Sequence, residues 1–240
     1  LLQLDWDEFV AEFTARMQMF LGTAVPPPVI DGGTASDRRY EGVIRVLPMI
    51  HRPTAGWGGL PDNVIAYVRQ SQGELVECLE DLAAKETIVV VAEGFSGTID
   101  TARLAASGPT DPKLLAAADG YGIAEFAVKN PHVPLIGGDI PQELHALHEQ
   151  ILRVSTHMRG ARGVFNVLQE FRNRYAVQVA VRAARSLGRM PVLVFGVDHA
   201  EGIAHAARKL GANVRLTLVP TVAVQCGHLF EPNTPLRQQR

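Results

Sequence analysis

PVLVFGVDH (Pro191–His199) and VIRVLPMIH (Val43–His51) decide how this chain is read. Each is an apolar run that ends on a histidine, and each is followed by a loop and then by helical periodicity. A third run, TIVVVA (Thr87–Ala92), is apolar almost throughout and mostly β-branched. Runs without polar alternation predict strands buried on both faces, as in sheets that carry helices on either side. The end of a strand that feeds a helix is where open α/β sheets build their sites, so the two terminal histidines are the leading candidates for chemistry.

Working outward, strand Val43–Ile50 is followed by a loop with Trp57-Gly58-Gly59. A helix with Asp62 as its N-cap then runs to about Lys85. Beyond Thr87–Ala92, Gly94 and Gly97 mark a turn, Thr98–Ala106 is predicted helical, and Pro112–Ala118 and Ile123–Lys129 form short helices. Val133–Ile136 is a short strand closed by Gly137-Gly138-Asp139. A long helical region covers Pro141–Leu187 with a break near Gly160–Gly163. Val192–Phe195 is a strand, Gly202–Leu210 a helix with Gly211 as its cap, and Val214–Val219 a last strand ended by Pro220. Trp6–Leu21 is amphipathic, with Phe9, Val10, Phe13, Met17 and Phe20 at helical spacing, and Pro26–Asp37 reads as a linker. The expected organisation is an N-terminal helix and linker (1–40) and one α/β domain (41–240). The domain's mixed central sheet is covered on both faces, and the repeated strand–x-x-His pattern suggests two related halves.

The bulk properties narrow the classes. The chain has 240 residues, 47% hydrophobic and 20% charged, with a net charge of −2. That balance offers no electrostatic footprint for nucleic acid or an anionic membrane. No run approaches the roughly 18 apolar residues of a membrane span. Cys78 and Cys226 are too few and too far apart for a disulfide framework or a zinc cluster. The chain starts on Leu1, which reads as a trimmed start. The compartment stays open between the cytoplasm and a processed extracytoplasmic form.

Four residues carry the chemical reading. His51 and His199 suit a general base near neutral pH or a metal ligand. Glu93 follows TIVVVA directly, so it also stands at a strand end. Two histidines and a carboxylate suit a transition metal with open positions, or an acid/base pair. Arg172, in the polar stretch Glu170-Phe171-Arg172-Asn173-Arg174-Tyr175-Ala176, is placed to hold a carboxylate or steady an oxyanion. Asp139 and Asp198 could assist, although a structural role is the simpler reading of each. His145 and His148 lie on one helical face without the H-E-x-x-H order, and neither Gly-rich turn is a phosphate loop. Ser96 is not in a G-x-S-x-G elbow, which leaves a serine hydrolase without support.

Two x-x-x-His strand ends, a strand-end glutamate between them and an Arg-Asn helix before the second give a pattern that resembles one superfamily. It joins Tiki/TraB metalloprotease-like proteins, erythromycin esterases and ChaN-like haem-binding proteins, whose mark is a pair of G-x-x-H motifs. The corresponding residues here are Pro48–His51, Glu93, Arg172-Asn173 and Gly196–His199. The likeness spans about Val43 to Val219 in motif order and spacing. Pro48 stands where that superfamily has glycine, Phe171 precedes Arg172 where it has glutamate, with Glu170 one further back, and Glu77 is an alternative to Glu93 in Tiki-style spacing. Glu93 is preferred because it ends a strand whereas Glu77 falls within a helical run. The resemblance implies a hydrolase of a small-molecule or peptide ester or amide. In it His51, Glu93 and His199 would hold a divalent Mn, Zn, Co or Fe ion, or His51 would act as a base without metal, and Arg172 would stabilise negative charge. The alternatives it implies are a haem- or iron-binding protein without turnover and a structural member with an inactive site.

Overall fold

The computed structural model describes residues 40–51, 61–99, 101, 122–139 and 161–226. The amphipathic segment Trp6–Leu21, the linker, the Trp57 loop, Pro112–Ala118 and the His145/His148 pair lie outside these residues. Six strands form one mixed sheet: β1 (Val43–Met49), β2 (Ile88–Ala92), β3 (Ser96–Ile99), β4 (Leu135–Gly138), β5 (Met190–Gly196) and β6 (Asn213–Leu216). Their spatial order is β3-β4-β2-β5-β1-β6. All pairs are parallel except β3 with β4, which is antiparallel.

Side-chain parity along the strands sorts the core into two layers. Ile44, Val46, Val89, Val91, Ile136, Leu193 and Phe195 face one side. That side is covered by α3 (Ala161–Leu187) and α4 (Ala200–Lys209). Leu47, Met49, Ile88, Val90, Ala92, Leu135, Val192 and Val194 face the other. There lie α1 (Asp62–Lys85), α2 (Gly122–Lys129) and α5 (Pro220–Cys226). Every side chain of β2 is buried, which is why that run shows no polar alternation. Helix α1 meets this layer through Val68, Leu75, Val76, Leu79 and Leu82, spaced three, four or seven residues apart or adjacent. Among the described residues no helix is long and apolar enough to cross a membrane.

Several expectations are corrected. Thr98 and Ile99 do not open a helix, because Ser96–Ile99 pairs antiparallel with Leu135–Gly138 and the ladder outweighs the local pattern. Residues 102–106 lie outside the described set. Pro61, not Asp62, occupies the N-cap of α1, and Asp62 opens the first turn, where a carboxylate favours the helix dipole. Gly163 lies inside α3. Strand β6 stops at Leu216, and Pro220 starts α5 rather than merely closing a strand.

Pro48 sits in a strand flanked on both sides, yet it interrupts no ladder bond. Thr217 N–H donates to the Val46 carbonyl, so Val46 turns its backbone groups toward β6. Residue 48 faces the same edge, and β6 pairs with β1 only over Val43–Val46. The proline's missing donor therefore points past the end of β6.

Candidate functional site

Parallel strands bring their C-terminal ends to one edge of the sheet. Across the order β4-β2-β5-β1, that edge carries Asp139, Glu93, Gly196 and His51 in turn. Glu93 continues the parity of Val89 and Val91, so it projects toward the layer of α3. Phe171, Arg172, Asn173, Tyr175 and Ala176 of that helix are buried there.

Glu93 is the hub. Its Oε2 accepts the Gly196 backbone N–H at 2.6 Å and lies 3.0 Å from His51 Nε2. Its Oε1 accepts Arg172 Nη2 at 2.7 Å and lies 3.3 Å from His199 Nε2. Burial would raise this carboxyl, but hydrogen bonds from His199 and His51, together with their charges, hold it well below its ordinary value of 4.5. It is a carboxylate throughout the neutral range.

Arg172 reaches a second carboxylate. Asp139, 1% exposed, accepts Nε on Oδ1 at 2.9 Å and Nη2 on Oδ2 at 2.7 Å. Burial lowers the guanidinium's pKa, and the bonds and charges of Asp139 and Glu93 more than reverse this, so it stays charged. Arg172 thus bridges two carboxylates, and one of them, Glu93, also meets both imidazoles.

The histidines differ. After Gly196 the chain coils into a 3-10 turn (Val197–His199), which drops His199 beside α3 with 6% exposure. Its Nδ1 lies 2.7 Å from Asn173 Oδ1, and its ring meets Phe195 edge-on at 5.9 Å. His51 instead follows β1 through Ile50, and its side chain is 41% exposed. Buried Gln72 fixes that exit by donating to the Ile50 carbonyl at 2.6 Å, while its Oε1 accepts the Gly122 N–H. Register pairs Met49, not Pro48, with Gly196, so the two motifs are not equivalent in space. For His51, burial lowers the imidazole's pKa, but the Glu93 hydrogen bond and charge raise it above 6.5 overall.

The structure thus brings together His51, Glu93, Arg172 and His199. Glu77 lies on the exposed side of α1, away from them. Asp198 is exposed and offers His51 only its charge, while its backbone carbonyl accepts Gln169 Nε2. Asp139, Asn173 and Gln72 complete the arrangement. Gly137-Gly138-Asp139 marked the first as a strand end and Arg172-Asn173 marked the second, but no pattern pointed to Gln72. A cleft of about 370 Å³ between α3 and α4 is lined by Asn173, Asp198, Gly202 and His205, but by none of His51, Glu93 or Arg172. It lies beside the site rather than in it.

Gly196 is required by close approach. A Cβ there would overlap the His51 ring and come within 3.3 Å of Glu93 Oε2. Gly196→Ala is expected to displace His51 and lower any His51-dependent turnover about a hundredfold. The melting temperature should change far less, and steady-state kinetics beside a thermal melt would show this. Gly202 has a similar role, since a Cβ there would overlap the Asn173 amide that holds His199.

The donor set does not fit a metal ion. Both oxygens of Glu93 already take hydrogen bonds, its charge is met by Arg172, and a permanent guanidinium 2.7 Å away opposes a dication. Among the described residues no group of three or more His, Cys, Asp or Glu side chains is arranged to hold one. His199 is enclosed with both nitrogens facing polar partners, and His51 turns Nε2 to Glu93.

Fold and site together define an α/β protein with a strand-end His–Glu–Arg–His network. No known protein family, curated protein or solved structure matches the chain.

Proposed function

We propose that this protein hydrolyses an ester or amide, with His51 as general base and no metal in the step. The observation that carries the reading is the contact of the half-exposed His51 with Glu93, 3.0 Å from Nε2 to Oε2. A carboxylate on Nε2 holds the proton there and leaves Nδ1 as the basic nitrogen. Nδ1 takes a proton from water as the water oxygen attacks the carbonyl carbon. The same proton then passes to the departing alkoxide or amine. Glu93 steadies the transient imidazolium, and Arg172 supplies a fixed positive charge for the oxyanion. Among the described residues its Nη1 donates no hydrogen bond, so a donor remains for substrate oxygen. The resemblance in motif order to the superfamily that includes the erythromycin esterases favours the same reading.

The test is turnover of a panel of p-nitrophenyl esters and anilides by the full chain in a chelating buffer, followed across pH. Activity should survive the chelator. The base must be neutral, so the rate should climb as pH rises through a value above 6.5. Stability should move the other way. Because the folded pKa of His51 is raised, its pairing contributes fully below 6.5 and is lost as pH rises through the folded value. Because the folded pKa of Glu93 is lowered, its contribution is present above 4.5 and is lost only as pH falls through that depressed value. The pair therefore stabilises most between about pH 4.5 and 6.5. Turnover of nothing in the panel, or turnover only with added transition metal, overturns the proposal.

A further inference from the structure

An arginine beside one carboxylate ordinarily closes a two-bond, fork-to-fork pair with it. Arg172 lies close enough to Glu93 to do so, yet gives it a single hydrogen bond from Nη2. Its forked edge, Nε with Nη2, is taken by Asp139 at 2.9 and 2.7 Å. That division leaves Glu93 Oε2 for the Gly196 N–H and His51. Asp139 is also tied to the turn that follows Glu93. Its Oδ2 accepts the Gly94 N–H at 3.2 Å, and its own N–H donates to the Phe95 carbonyl at 3.1 Å.

We infer that Asp139 is a positioning residue that holds the Nε/Nη2 edge of Arg172 and so fixes the guanidinium in the orientation from which only Nη2 reaches Glu93, leaving Glu93 Oε2 to His51. It touches no reacting atom and acts through Arg172. An asparagine at 139 would turn an amide N–H toward the guanidinium, and the fork would then seek the remaining carboxylate. The buried neighbour would take from Glu93 the oxygen that His51 uses. The inference deepens the hydrolase reading, on which only its activity arm rests.

The experiment compares the full chain with Asp139→Asn and with Asp139→Asn/Arg172→Met, using histidines labelled with ¹⁵N in the ring. The low-field Nε2 proton of His51 is assigned by its loss in His51→Ala. It should be present in the parent chain, lost to water exchange in Asp139→Asn, and present again in the double variant. Loss of the Gly94 bond is common to both variants, so recovery in the double isolates competition by Arg172 from loosening of the turn. In the activity arm, Asp139→Asn should lower kcat about a hundredfold with KM within about twofold. If Asp139→Asn does not fold, recovery of folding and of the ring proton in the double still assigns the loss to Arg172, since Glu93 keeps the Gly196 N–H and both imidazoles as neighbours. A ring proton retained in Asp139→Asn, one missing from the double, or a double that does not fold would each overturn the inference. A parent chain that cleaves no ester refutes the hydrolase reading alone, and the ring-proton arm then judges Asp139 by itself.

Discussion

Glu93→Ala is expected to abolish hydrolysis and to lower the melting temperature by about 10 °C. The carboxylate is 8% exposed and takes a hydrogen bond from Arg172 and another from Gly196. It also faces both imidazoles. Its removal leaves a buried backbone donor without an acceptor and strips Arg172 of one of two anionic partners. Breaking a buried pair costs about 3–5 kcal/mol, and the retained Asp139 bond places this case near 3. For a chain of this size that corresponds to roughly the stated shift in Tm. Calorimetry alongside ester turnover would measure both, and a variant that melts with the parent and keeps its rate would remove Glu93 from the centre of the site.

His51→Ala is expected to separate activity from stability. The ring is 41% exposed, so its loss should leave the melt nearly unchanged once the pH is above the raised value at which the imidazole loses its proton. Loss of a general base costs typically 10²–10⁴-fold in rate, and that fall should appear in kcat. Added imidazole should restore part of the rate in His51→Ala, since the vacated space opens to solvent. Undiminished turnover in this variant would end the His51 mechanism. A large loss of stability would show that the ring is a packing element instead.

Most of the fold was legible because its cause is local. Apolar strands without alternation, such as TIVVVA, announce burial on both faces whatever lies around them, and β2 is buried throughout. The spacing of Val68, Leu75, Leu79 and Leu82 announces a helix in the same way. Thr98 and Ile99 misled because their state is set by a partner: pairing with Leu135 and Ile136 is a long-range contact that no short window contains. The same distinction divides the site. His51, Glu93 and His199 could be picked out because each ends a strand run, and Arg172 because the Arg-Asn pair precedes the second motif. Asp139 looked optional, since what makes it matter is a guanidinium 33 positions away in sequence.

By itself, the order of residues determined that this is an α/β protein with its polar side chains at strand ends, because hydrophobic periodicity and strand termini are properties of adjacent residues. Which strand ends meet, and what each group touches there, is set by long-range packing. Strand order β4-β2-β5-β1 puts Glu93 beside Gly196 and within reach of His51, and a 3-10 turn after Gly196 buries His199 while the chain leaving β1 keeps His51 exposed. The motifs Pro48–His51 and Gly196–His199 are alike in spacing. They differ in exposure and in partners because backbone conformation beyond the strand, and the neighbours it brings within hydrogen-bond distance, arise from packing and not from spacing.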